Sequence, residues 1–97
     1  MILRIIRAEV HRDHHAEFER KLREIALPLV RAQAGVISVS IARPQPESPN
    51  EFATISVWKD EEAIKAFVGA SYPGAVVPAG MAEHIACLSA HHYEIIE

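Results

Sequence analysis

Two periods of hydrophobic and polar residues alternate along this chain, and the switches between them mark out its elements. Residues 1–10 place Ile2, Ile6, Ala8 and Val10 at even positions and Leu3 and Ile5 at odd ones. Apolar residues on both sides predict a strand covered on both faces over much of its length. The period then lengthens. Phe18, Leu22, Ile25 and Leu29 recur at i, i+4, i+7 and i+11, one core-facing stripe of a helix capped by Asp13 and running to about Gln33. Pro28 lacks an amide donor, so this helix is expected to bend or break near its third or fourth turn. Gly35 is placed to end it in a left-handed conformation. Residues 36–42 return to alternation, with Ile37, Val39 and Ile41 on one face and Ser38 and Ser40 on the other.

Pro44, Pro46 and Pro49 make residues 43–50 a connection. A third strand follows over residues 52–58. One face carries Ala53, Ile55 and Val57, the other Phe52, Thr54, Ser56 and Trp58. Asp60 then offers a carboxylate to the free amides of a second helix over residues 60–68, and Glu61 and Glu62 favour its positive end. Residues 69–80 are rich in Gly, Pro and small side chains. Residues 81–86 read as helical, and residues 88–96 as a fourth strand. The order β-α-β-β-α-β is the split βαβ arrangement of ferredoxin-like folds. It predicts an α+β domain over residues 1–97, with a four-stranded antiparallel sheet and both helices on one face. The other face of that sheet is apolar enough to need a cover. The cover expected is a second copy of the chain, a homodimer with sheets packed face to face.

Composition narrows the class of partner. The 97 residues are 49% hydrophobic and 24% charged, a balance suited to one globular core. Residues 1–50 hold eight Lys/Arg against six Asp/Glu, and residues 51–97 hold two against seven. Neither half has the dense basic patch that nucleic acid demands, so no nucleic-acid partner is expected. No apolar run reaches the roughly 18–20 residues of a membrane helix. Arg4 and Arg7 interrupt any leader core at the amino end, so a cytoplasmic protein is expected. Cys87 is alone, which excludes an intrachain disulfide and a thiol-rich metal site.

Candidate chemistry gathers around the third strand and the stretch after the second helix. Trp58 beside the small hydroxyls of Thr54 and Ser56 makes either a flat wall for a planar ligand or a core tryptophan with room cleared for it. Tyr72, in Tyr72-Pro73-Gly74, either donates to a substrate oxygen or anchors a turn. Among six histidines, His84 is the preferred general base, since imidazole titrates nearest neutrality. A surface place near a helix end is its other reading. His91 and His92 point to opposite faces of the last strand, so at most one meets a given cavity. His11, His14 and His15 cluster without an established metal-ligand spacing, and no metal is expected. Arg4 and Arg7 lie on alternate faces; either one of them reaches the interior and holds an anion, because a guanidinium forks onto carboxylate or phenolate, or it forms a salt bridge across the dimer.

The order of elements, together with Val57-Trp58-Lys59-Asp60-Glu61-Glu62-Ala63-Ile64-Lys65-Ala66-Phe67, resembles the dimeric α+β barrel proteins. More narrowly it resembles the antibiotic biosynthesis monooxygenase domain. Phe18 to Leu29, Gly35 and His92-Tyr93-Glu94 extend the resemblance over nearly the whole chain. It implies oxidation of an aromatic phenol or quinol without a cofactor. Other members degrade haem, isomerise, or have no known reaction. Trp58, Tyr72 and His84 are then the wall, the oxyanion donor and the base, with Thr54, Ser56, Phe67 and Arg4 contacting the substrate. The resemblance also implies an asparagine near the tryptophan. Thr54 stands at that place, and the only asparagine is Asn50. The haem branch has a tryptophan where this chain has Phe67 and its ligand histidine near Val77, so haem is not expected. A non-catalytic binding barrel and an isomerase on the same scaffold are the alternative readings.

Overall fold

The computed structural model describes all residues 1–97. Four strands, β1 (Ile2–Val10), β2 (Val36–Ala42), β3 (Glu51–Trp58) and β4 (Ile85–Glu94), form one sheet in the order β2-β3-β1-β4. Every neighbouring pair is antiparallel. The first helical arm runs through α1 (His15–Lys21), a π turn (Leu22–Ala26) and α2 (Leu27–Arg31), and α3 (Glu61–Val68) follows β3. Arm and α3 pack on one face of the sheet, so the ferredoxin-like α+β arrangement read from the sequence is the one observed. No helix is long and apolar enough to cross a membrane.

The first arm departs from expectation in three ways. Asp13 lies in a short 3₁₀ turn (Arg12–His14), and His14 precedes α1 without any side-chain cap. Pro28 does not end the helix. The chain is instead underwound just ahead of it, with the Leu27 amide donating to the Leu22 carbonyl, one residue further than an α-helical bond. Pro28 then occupies the first turn of α2, where a missing amide costs little. This wider turn also changes which residues face the core. Phe18, Leu22, Ala26 and Val30 are buried at intervals of four, while Ile25 is 37% exposed.

Two bulges shift the strands in the same way. Val36 pairs with Trp58 and Ser38 with Val57, which leaves Ile37 as an extra residue. Ile37 is consequently 55% exposed, and Val36, Val39 and Ile41 share the helix-facing side. The expected grouping of Ile37 with Val39 and Ile41 fails because a bulge breaks the alternation. In β4 the pairing skips Ala86 between Ile85 and Cys87. The helix expected at 81–86 is one 3₁₀ turn (Ala82–His84), and β4 starts three residues earlier than the sequence suggested.

The inner face buries Ala8, Val10, Phe18, Leu22, Ala26, Phe52 and Met81 in one cluster and Val30, Trp58, Ile64 and Val68 in another. The corner from β3 into α3 is tied at several points. Asp60 Oδ1 accepts from the Ala63 amide at 2.9 Å, as its capping place predicts. The Lys59 amide donates to the Gly35 carbonyl at 2.8 Å. Gly35 has φ +88°, and a Cβ built on it would lie 2.6 Å from Cβ of Ala63. Both the backbone conformation and the close approach therefore require glycine. Gly35→Ala is expected to destabilise the protein by about 1–3 kcal/mol, from overpacking and backbone strain combined. Chemical denaturation of the two proteins measures this, and an unchanged midpoint would refute it.

Candidate functional site

An apolar cavity, partly open to the surface, lies between the inner face of the sheet and the helical arm. Sixteen of its twenty lining residues are hydrophobic, which makes the few polar ones informative. Those are Arg4, Thr54 and Ser56, all on the two central strands. Register places Arg4 opposite Ser56 and Ile6 opposite Thr54, so the polar groups sit toward the Trp58 end. Ala75, Val76, Val77 and Pro78 cover the cavity. Its volume is about 80 Å³. A cavity of roughly 150 Å³ is what holds a benzene molecule. An aromatic ligand therefore needs the 75–78 cover to move outward.

Trp58 is fully buried and stacks on Phe67, with centroids 5.8 Å apart and planes 20° from parallel. Its indole Nε1 donates to Ser56 Oγ at 2.8 Å. That bond uses only an acceptor site of the serine, whose own O–H stays available to a ligand oxygen. Five of the residues expected from sequence (Arg4, Thr54, Ser56, Trp58 and Phe67) line one cavity.

Tyr72 and His84 do not line it. Tyr72 packs against the Val30–Trp58 cluster, with Lys65 Nζ 5.5 Å above its ring and the His92 ring 5.2 Å away. His84 is buried on the far side of the 3₁₀ turn, between α1 and β4. Its Nδ1 is 2.9 Å from Nδ1 of His14, and its Nε2 accepts from Lys21 Nζ at 2.9 Å. Because an ammonium only donates, this second bond assigns the ring proton of His84 to Nδ1. Both nitrogens are thus engaged away from the cavity. The histidine cluster expected at residues 11, 14 and 15 is in fact His11, His14 and His84, stacked edge to face. His15 instead packs edge-on to Phe52 and donates to the Val10 carbonyl. No group of three or more His, Cys, Asp or Glu side chains is arranged to hold a metal ion. Asn50 sits in the β2–β3 connection at φ 71°, with its carbonyl accepting from Val10.

The residue that sequence reasoning left unassigned is His92. Alternation permitted either His91 or His92 to face inward. Pairing of Arg4 with His92 across β1 and β4 selects His92, while His91 turns outward to Ser89. Arg4 Nη1 donates to His92 Nε2 at 2.6 Å, and Nη2 donates to the Gly74 carbonyl at 3.1 Å. Arg4 is only 3% exposed. Burial lowers its pKa, partly countered by the nearby Tyr72 phenol, yet a guanidinium keeps its charge at neutral pH. Burial also lowers the His92 pKa from 6.5, and the Arg4 charge lowers it further.

This has a consequence for stability. The folded state resists protonating His92, whereas the unfolded chain takes up the proton near pH 6.5. The contribution is complete above that value and is lost as pH falls below it toward the folded pKa. His92→Gln, which keeps a neutral acceptor, is expected to flatten this part of the pH–stability curve. Thermal melts between neutral pH and pH 5 would test this, and identical slopes for both proteins would contradict it.

The comparisons with known proteins agree with the geometry. A putative antibiotic biosynthesis monooxygenase from Nitrosomonas europaea superposes with a TM-score of 0.73 at 17% identity, over 100% of each chain. SnoaB, a cofactor-independent oxygenase from Streptomyces nogalater, gives 0.74 at 18% identity, over 99% of this chain and 93% of that one. The heme-degrader MhuD from Mycobacterium tuberculosis gives 0.75 at 17%, over 100% and 97%. At such identities these likenesses speak for the fold. No curated protein sequence matches the chain. The family profile described as antibiotic biosynthesis monooxygenase does match, over residues 1–79. That covers most of the chain, including the strand–tryptophan–helix corner and the cavity's polar end on β1 and β3, and the chain belongs to this family.

Proposed function

We propose that the protein is a cofactor-independent monooxygenase acting on an aromatic phenol or quinol. The observation that carries this reading is an apolar cavity walled by the Trp58–Phe67 stack, with its polar lining confined to Arg4, Thr54 and Ser56. A flat ring packs against that stack and presents its oxygen to the polar end. Arg4 stabilises negative charge there as the phenolic proton leaves, the kind of preorganised electrostatics that contributes most to catalysis in a dry site. His92 takes that proton in place of His84, since it is neutral and, though behind the lining rather than in it, bonds directly to Arg4. Its Nε2 becomes free when a substrate oxygen takes over the Arg4 bond. Tyr72 packs beside the His92 ring and holds its orientation.

The electron-rich ring carbon then adds to O₂. A carbon–oxygen bond forms, the O–O bond breaks with loss of water, and a carbonyl remains. One oxygen atom enters the product and the other leaves as water. The substrate supplies all the electrons, so no further reductant is required. Haem chemistry of the kind named for MhuD draws no support from the lining. It contains no histidine, cysteine or tyrosine to ligate iron, and Val77 sits in the cover.

A second reading, a binding barrel without turnover, is favoured by two observations: both nitrogens of His84 are engaged elsewhere, and Thr54 offers no amide. Oxygen uptake with a panel of phenols, hydroquinones and anthrones separates the two. Uptake is expected, with Trp58→Phe lowering it and His92→Gln lowering it about 100-fold, as for loss of a general base. No uptake from any compound, alongside saturable quenching of Trp58 fluorescence, would establish the binding barrel instead.

The outer face of the sheet bears on assembly. Leu3 and Ile5 on β1 meet Val57 and Ile55 on β3, half-buried and with no helix over them. A homodimer covers this row. Sedimentation is expected to give twice the chain mass, falling to one chain in Ile55→Glu. A wild-type monomer would rule the dimer out.

A further inference from the structure

Arg4 presents an imbalance that nothing else in the molecule shares. Taking a guanidinium out of water costs several kcal/mol unless an opposite charge comes with it. Six other cations here have found one, and Arg12, Arg31 and Lys59, which have not, are exposed to water. Arg7, its neighbour on the outer face, forks onto Glu51. Lys21, the other cation with little exposure, lies 3.3 Å from Glu83 and 3.7 Å from Glu17. Arg4 is more deeply buried than either, yet its hydrogen bonds go to a neutral imidazole and a peptide carbonyl. No protein carboxylate forms an ion pair with it. Glu94, the next residue on the same face of β4, is exposed and makes no ion pair. A guanidinium has five N–H donors, and these two bonds leave three of them for another acceptor. The group lines the apolar cavity itself.

We propose that Arg4, flanked by His92 and Tyr72, is an anion-binding subsite, and that the ligand of the cavity is an aromatic monoanion. Its carboxylate or phenolate oxygen pairs with the guanidinium. The proposal rests on the oxygenase reading only in taking the ligand to be aromatic. The single charge follows from Arg4 being the one charged residue of the cavity lining. A dianion such as phosphate would leave one charge uncompensated against Ile6, Trp58 and Phe67. Lys65, whose ammonium lies over the Tyr72 ring, is held by Glu61 at 2.8 Å. The planar fork of the guanidinium suits two oxygens of one carboxylate. In the free protein the Gly74 carbonyl and His92 are neutral stand-ins for that acceptor. An arriving anion displaces both. Gly74 directly precedes the 75–78 cover, so the same exchange releases the segment that must move for a ring to fit.

The test compares ligands of one shape and different charge on the purified wild-type protein by titration calorimetry at pH 7. 2-Naphthoate is expected to bind about ten-fold or more tightly than 2-naphthalenemethanol, a difference that one charge-assisted pair readily supplies. The preference should vanish in Arg4→Gln and persist in part in Arg4→Lys. A third arm uses 2-naphthol: a naphtholate absorption spectrum in the bound state identifies phenolate as the natural source of the anion, and an un-ionised spectrum with naphthoate preferred identifies a carboxylate. The wild-type Arg4 Nε–H resonance is a second readout, independent of how Arg4 variants fold. It should shift with naphthoate and not with the alcohol. Equal affinity for acid and alcohol, binding by neither, or a preference retained in folded Arg4→Gln would each overturn the subsite. Oxygen uptake reports separately: its absence would sink the oxygenase reading while leaving a charge preference standing, and the reverse outcome would do the opposite.

Discussion

Trp58 holds the corner on which the rest of the molecule is assembled. Its indole is fully buried where β3 passes into α3. It joins Val30 of the first arm to Ile64 and Val68 of the second helix, so one side chain ties both helical elements to the sheet. A tryptophan buried in this way is worth about 3–5 kcal/mol against alanine. The polar edge of the ring is satisfied locally by Ser56, and its face by Phe67. Gly35 and Asp60 secure the same corner from either side. The stability gathered here offsets the cost of a neighbouring feature that destabilises the fold.

That feature is the buried guanidinium of Arg4, paired in register with Ser56, two positions from Trp58. Solvation alone would favour an aliphatic side chain at this place. A buried cation bonded only to neutral acceptors is better explained by what it meets when a ligand is present than by what it contributes to folding. Together with burial, the same group keeps His92 neutral, and it orients the His92 Nε2 and holds the carbonyl just ahead of the cavity's cover. In the proposed mechanism, charge compensation, proton acceptance and access to the cavity therefore converge on one residue of β1.

The histidines illustrate how position overrides type. His84 has the chemistry of a base, but Lys21 and His14 occupy both its nitrogens and join the 3₁₀ turn before β4 to α1. In that place it serves as a structural link between the arm and the last strand. His92 lies on the cavity side because β4 pairs with β1 in one particular register, and a shift by one residue would have presented His91.

Much was legible in the residues themselves. Strand alternation, the Asp60 cap, the proline-rich connection and the strand–tryptophan–helix string determined the order of elements and the family. They also determined that Thr54, Ser56 and Trp58 share one face, to which the β1–β3 register added Arg4. These are local properties, set by side-chain period and by bonds spanning a few residues. Tertiary structure alone decided the rest. The π turn before Pro28 replaced Ile25 by Ala26 in the core, a bulge turned Ile37 outward, and the β1–β4 register brought Arg4 to His92 across 88 residues of sequence. Period records which side of an element is apolar. Which polar groups meet depends on the register and winding that pack the whole chain, and those follow from contacts distant in sequence.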